Sequence, residues 1–199
     1  MSDIVFYPVA LIAALAIIAA AALPGRDRLQ CGSVSGAGTD YRTIIVSGDD
    51  LCRMVAAGQS DIERVMEGDE ITALVITAAA GQLGDRAERN PHFRLAADLE
   101  NAFAGFRVRV TVEARHADVR SASSFEVNYS AGNEGNSGWQ QFNLRPEFRD
   151  YSFEWDVPSR GGNEHAVDYV AIRPIIPDRT RSFEIRSIRL ERLRRSESS

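Results

Sequence analysis

The sequence predicts a mainly β, antiparallel sandwich with a few short helices, preceded by one N-terminal transmembrane helix. Three observations carry that prediction. From Ile4 to Leu23 the chain has no charged side chain. From Phe106 onward, apolar and polar residues alternate strictly, the period of half-buried strands. The apolar runs are short and separated by Gly, Pro, Asn and Ser clusters, as in sandwiches and barrels. About 170 residues follow the apolar segment, enough for one domain with a sizeable core.

As a helix rising about 1.5 Å per residue, the first segment would cross roughly 30 Å of hydrocarbon. Three readings compete for it. A cleaved signal peptide needs a basic n-region, and Met1-Ser2-Asp3 has none. A buried core helix normally carries a polar stripe, and this segment is apolar all round. An uncleaved anchor is the preferred reading, with Pro8 in the first turns, where a missing N–H matters least.

Orientation pulls two ways. Arg26 and Arg28 follow the helix, which by the positive-inside rule keeps the domain in the cytoplasm. Cys31 and Cys52 are an even number and would pair in an oxidising compartment; free buried cysteines are equally ordinary. The organisation read from the chain is an anchor over 1–25, a flexible tether or irregular lead-in over 26–40, a sandwich over 41–193 and a polar tail over 194–199.

Within the domain, Tyr41 to Val46 is β-branched and reads as a first strand. Ser47-Gly48-Asp49-Asp50 offers an N-cap to a short helix carrying Leu51, Met54 and Val55. Ile62, Val65 and Met66 have helical spacing and predict a further helical turn ending at Gly68. Glu70 to Ala78 reads as a buried strand, Gly81 to Pro91 as a polar loop, and Leu99 with Phe103 as one face of a short helix stopped at Gly105.

Then Phe106, Val108, Val110, Val112 and Ala114 point one way, and Arg107, Arg109, Thr111, Glu113 and Arg115 the other. Phe125, Val127 and Tyr129 alternate with Glu126, Asn128 and Ser130. A glycine-rich loop over 131–138 precedes Gln140, Phe142 and Leu144. Tyr151, Phe153, Trp155 and Val157 alternate with Asp150, Ser152, Glu154 and Asp156. Asp168 to Ile175 is another strand. In the last, Ser182 to Leu193, Phe183 and Ile185 change phase to Ile188 and Leu190, which predicts a bulge near Arg186-Ser187.

Composition excludes several functions. A net charge of −5 argues against a nucleic-acid partner. All 23 basic residues are Arg, which rules out lysine chemistry. His92, His116 and His165 have no metal-ligand spacing, and no nucleophile-elbow, zinc-protease or phosphate-loop motif occurs. No enzyme and no cofactor are expected. Trp139 falls out of phase with Phe142 and Leu144, on the polar side, where an indole can stack on a sugar ring. Asn128, Gln141, Arg107 and Arg109 supply hydrogen bonds in that reading. A partly buried Trp sealing the rim is the plainer alternative. Arg107, Arg109 and Arg115 would serve an anion or pair across strands with Glu126 or Glu154.

The stretch from about Phe93 to Leu193 resembles carbohydrate-binding-module and galactose-binding-like jelly rolls. Its carriers are the strand Phe106–Arg115, the segments Trp139–Leu144 and Tyr151–Pro158, and the closing strand Phe183–Leu190. The resemblance implies a jelly roll and a non-catalytic binding role, working outside the cell, with glycan or another envelope component as partner. The alternative is an assembly subunit docking on a membrane protein. Many relatives carry an Asp-Asn pair in the closing strand, where the Asp helps hold a structural calcium. Here Arg186 and Ser187 stand there, and a guanidinium cannot ligate calcium, so no metal is expected.

Overall fold

The computed structural model describes residues 31–81, 83–161, 167–176 and 179–195. The membrane span read from Ile4–Leu23 lies outside them. Among the described residues, no helix is long and apolar enough to cross a membrane.

Among the described residues, eleven strands form two antiparallel sheets. In chain order they are β1 (Thr43–Ser47), β2 (Met54–Val55), β3 (Ser60–Glu67), β4 (Glu70–Ala78), β5 (His92–Arg94), β6 (Phe106–His116), β7 (Ser124–Ser130), β8 (Gln140–Asn143), β9 (Arg149–Asp156), β10 (Tyr169–Pro174) and β11 (Arg181–Arg195). One helix, α1 (Ala97–Phe103), lies between β5 and β6. The six-stranded sheet runs β3-β4-β11-β6-β9, with β1 also paired to β11; the five-stranded sheet runs β2-β5-β10-β7-β8.

The strand order itself defines the topology. Counting only the eight strands from β4 to β11, the first sheet reads first-eighth-third-sixth and the second reads second-seventh-fourth-fifth. Successive strands thus cross between the sheets, except the fourth and fifth, which pair with each other, in the jelly-roll pattern. β3 and β2 extend the two sheets by one strand each.

The alternating residues become the core. Val108, Val110, Val112 and Ala114 of β6 are buried, as are Phe125, Val127 and Tyr129 of β7. Phe125 of the five-stranded sheet stacks on Phe183 of the other, ring centroids 5.2 Å apart. Tyr129 meets the half-buried Trp155 at 5.2 Å. β11 contains the predicted bulge: Ile185 pairs with Ala114 and Ser187 with Glu113, so Arg186 has no counterpart. The extra residue keeps Phe183, Ile185, Ile188 and Leu190 all facing inward.

Two expectations need correction. The segment with Ile62, Val65 and Met66 is not helical; it is β3, an edge strand paired to β4. Glu67 pairs with Glu70, leaving only Gly68-Asp69 in the turn. Gly68 has φ +63°, which glycine adopts without steric cost, so the sequence encodes a two-residue hairpin. The segment after Ser47 is a six-residue 3-10 helix, Gly48–Arg53, and Ser47 makes no side-chain cap bond. Asp49 instead accepts from the backbone N–H of Ile71 at 3.2 Å, tying the turn to β4.

Gly105 ends α1 with φ +73°, and a Cβ there would meet Ser159 Oγ at 3.0 Å. Cys31 and Cys52 form a disulfide with Cα atoms 5.4 Å apart. Val34, in the stretch read as tether or lead-in, is buried and bridges to Leu95.

Candidate functional site

The two outer faces of the sandwich differ in chemistry. On the six-stranded face, charges pair with one another. Arg107 donates to Asp156 at 2.9 and 2.6 Å, and Arg109 to Glu154 at 2.6 Å. Arg189 reaches Asp150 at 3.2 Å, and Arg115 meets Glu184 at 2.7 Å. The hydrogen bond from Arg107 holds the Asp156 carboxyl below its ordinary range. Arg186 lies 3.9 Å over the Phe148 ring and pairs with Glu113, which also accepts from Ser187. Where the resemblance expects a calcium-holding pair, a cation and its partner occupy the space. No group of three or more His, Cys, Asp or Glu among the described residues is arranged to hold a metal ion.

The five-stranded face is built differently. Phe125, Val127 and Tyr129 point inward, so Glu126, Asn128 and Ser130 face out. On neighbouring β10, Val170 and Ile172 point inward, so Tyr169, Ala171 and Arg173 face out. The register sets Tyr169 beside Ser130, Ala171 beside Asn128 and Arg173 beside Glu126.

Residues 83–91 fold onto this face and are fastened there. Arg173 donates to Glu126 at 2.8 Å and to the Gly84 carbonyl at 2.8 Å. The buried Asn90 donates its NH2 to the carbonyls of Gly84 and Arg86 at 2.8 and 2.7 Å. Trp139 lays its ring on Arg173, centroid to guanidinium 3.7 Å, and its indole N–H donates to the Asp85 carbonyl at 3.0 Å.

Between residues 85–88 on one side and 132–136 on the other lies a cleft of about 330 Å³. Asn128, Ser130, Tyr169, Asn133, Asp85 and Glu88 are among its lining. Glu88 is held by Arg86 at 2.6 Å. Tyr169 stands edge-on to His92, centroids 5.0 Å apart. His92 Nδ1 lies 2.8 Å from the Asn90 carbonyl, which can only accept, so that nitrogen carries the proton. Burial lowers the His92 pKa and keeps the ring neutral.

Asn128 is 3% exposed, and its Oδ1, closed to solvent, has no hydrogen-bond partner among the described residues.

The predicted site residues therefore separate. Asn128 lines the cleft. Gln141 is exposed on β8 beside Glu126, on the same face. Trp139 reaches this face too, but one ring face lies on Arg173 and its N–H is used by Asp85. It is a fastening for residues 83–91, not a bare platform. Arg107 and Arg109 lie across the sandwich in ion pairs, away from the cleft. Sequence reasoning missed Tyr169. The alternation of Tyr169, Ala171 and Arg173 against Val170 and Ile172 was the available signal.

Trp139→Ala should cost about 1–2 kcal/mol, from one cation–π contact and one hydrogen bond. Hydrogen exchange should quicken in residues 83–91 and stay unchanged in β6. Unchanged exchange in residues 83–91 would show that the segment is held without Trp139.

No family model and no curated protein matches this chain. Several solved structures are similar to it. One is the CBM22-1 xylan-binding domain of Paenibacillus barcinonensis Xyn10C, at 7% identity over 71% of this chain and 86% of that one, TM-score 0.48. The xylan-binding module CBM15 gives 13% identity over 77% and 98%, TM-score 0.43. The CBM22-1–GH10 modules of Clostridium thermocellum xylanase 10B, complexed with xylohexaose, give 11% identity over 71% of this chain, TM-score 0.47; the chain spans 26% of that protein. No site residue is carried over from these likenesses, and the reading of the cleft rests on this chain's own geometry.

Proposed function

We propose that the sandwich is a non-catalytic binding module that takes a glycan in the cleft between residues 85–88 and 132–136. The observation that carries this reading is the lining. Amides, hydroxyls and one aromatic ring converge on about 330 Å³, the mixture that fixes a polyol by hydrogen bonds and ring contact. Glycosidases need an acid and a base flanking the bond. The two carboxylates of the lining are Asp85 and Glu88, and Glu88 is tied to Arg86.

In this reading Met1–Leu23 anchors the domain to a cell membrane. The Cys31–Cys52 disulfide favours the exported side, since such bonds persist in oxidising compartments. N-terminal sequencing of the membrane-fraction protein should find the chain uncleaved. A new terminus near Leu23 or Gly25 overturns the anchor.

A docking subunit would be expected to show a contiguous apolar patch. Among the described residues, the exposed large apolar side chains Ile45, Val55, Met66, Val119 and Leu193 instead sit on five different segments. The test is a glycan microarray probed with the full chain in mild detergent, printed with xylan, β-1,3-glucan, β-1,4-glucan, galactan and chitin oligosaccharides. The glycan reading expects retention on at least one class. A blank array with folded protein contradicts it.

A further inference from the structure

Resting on the glycan reading, we infer that Arg173 is the positioning residue of the cleft: its guanidinium holds residues 84–90 where they form one wall, and so sets affinity without lining the cleft itself.

The wall needs holding because little regular structure runs through it. Within residues 83–91 there is one short 3-10 turn, Ala87–Arg89. At the far end the Pro91 carbonyl accepts from the Ile172 N–H of β10 at 2.8 Å. The rest is fixed by side chains that grip backbone carbonyls. Gly84 accepts from Arg173 and from Asn90, each at 2.8 Å. Asp85 accepts from Trp139 at 3.0 Å, and Arg86 from Asn90 at 2.7 Å. Three consecutive carbonyls are thus held by other elements or by Asn90, while Asp85 and Glu88 line the cleft.

Arg173 is the group that these fastenings share. The register of β10 on β7 sets it beside Glu126, which accepts from its Nε at 2.8 Å. The guanidinium lies 3.7 Å from the centroid of the Trp139 ring, and Nη1 faces Asn90 Oδ1 at 3.5 Å. That arrangement turns the NH2 of the buried Asn90 toward the carbonyls of Gly84 and Arg86. A planar, always charged fork can serve a carboxylate, a carbonyl and an indole face at once; a lysine ammonium is a point charge with no flat face to lay against the ring. Affinity then follows from how often the wall is in place. A segment ordered before the ligand arrives adds no ordering cost to binding, and one in place a tenth of the time binds about tenfold more weakly.

Titration and hydrogen exchange on the full-length chain in detergent test this together. With an oligosaccharide of the array-positive class, Arg173→Met should lose at least about tenfold in affinity, and Arg173→Lys a smaller part of it. In the free Arg173→Met chain, exchange should quicken at least about tenfold in residues 83–91 and stay unchanged in β6. Saturating oligosaccharide should slow it again, by more than it slows the same segment in wild type. Wild-type affinity in Arg173→Met overturns the inference, and so does exchange that quickens equally in β6. A quickened segment that saturating oligosaccharide leaves unslowed overturns it too. If Arg173→Met does not fold, Arg173→Lys carries the same comparison, and wild-type affinity with quickened exchange in that variant is equally fatal. A wild-type chain that binds no glycan overturns the underlying reading. The two failures are distinguishable, because quickened exchange of residues 83–91 in the free variant needs no ligand.

Discussion

Phe125→Ala should lower the stability of the domain by about 3–5 kcal/mol. Phe125 is fully buried and its ring joins both sheets. It stacks on Phe183 at 5.2 Å, takes Tyr151 edge-on at 5.2 Å and touches Phe142 at 5.4 Å. Removing it leaves a void bounded by β-strands that are fixed by their ladders, so the site cannot collapse. Phe142 is only half-buried at the margin of the same cluster, and Phe142→Ala should cost clearly less. Denaturant midpoints at constant slope measure both. A Phe125→Ala loss under about 1 kcal/mol would mean that the ring cluster does not hold the sheets together.

Arg160→Ala should cost about 3 kcal/mol at pH 7.5, and less at pH 5. Arg160 is shared by two buried carboxylates, Glu100 at 2.8 Å and Asp168 at 3.3 Å. Tyr129 donates to the other Asp168 oxygen at 3.0 Å, and Glu100 accepts from the Asp168 backbone N–H at 3.2 Å. Without the guanidinium, two buried negative charges face each other. Burial raises the Asp168 pKa to about 6, against the opposing pull of Tyr129 and Arg160; Glu100 adds to the rise. A raised carboxyl pKa means that the folded protein binds the proton more tightly than the unfolded chain. This group's contribution is full below the ordinary Asp pKa and is lost as pH climbs through about 6. The wild-type domain should therefore gain about 1–2 kcal/mol between pH 7.5 and 5 from Asp168 alone. His92, its pKa lowered by burial, acts in the opposite sense inside that window, and Asp156, whose carboxyl sits below the ordinary range, does so outside it. Melts of wild type, Arg160→Ala and Asp168→Asn across pH 5–7.5 check the scheme. A slope that survives in Asp168→Asn assigns the proton elsewhere.

Legibility in the sequence followed the physics of each element. β6 and β9 were readable because one face is buried and the other carries charge, so period two is unbroken. The bulge in β11 was readable because a change of phase within one strand has few other causes. β3 was misread because Ile62, Val65 and Met66 happen to fall at helical spacing. Its true signal was the Gly68-Asp69 turn between two charged edges. β2 is two residues long and leaves no periodic trace.

The site was harder for a different reason. Alternation separates inside from outside, but it does not say to which sheet an outward residue belongs. Arg107, Arg109 and Asn128 all read as outward, and strand order put the arginines on one face and the asparagine on the other. Trp139 was placed on the correct face from its phase. Its contacts with Arg173 and Asp85 depend on residues 83–91 crossing the sheet, which no local pattern encodes. Tyr169 went unnoticed because Asp168–Ile175 is apolar enough to read as a strand buried on both faces.

The proposed cleft puts ligand on the five-stranded face and not on the charged six-stranded one. Isothermal titration of the array-positive polysaccharide into wild type, Tyr169→Ala and Arg109→Ala tests it most directly. Tyr169→Ala should weaken binding by at least about tenfold, since stacking on one ring is worth roughly 1–3 kcal/mol by analogy with bases on aromatic side chains. Arg109→Ala should bind like wild type, because Arg109 serves Glu154 across the sandwich. Loss of binding in Arg109→Ala with full affinity in Tyr169→Ala would contradict the account and move the site to the other sheet.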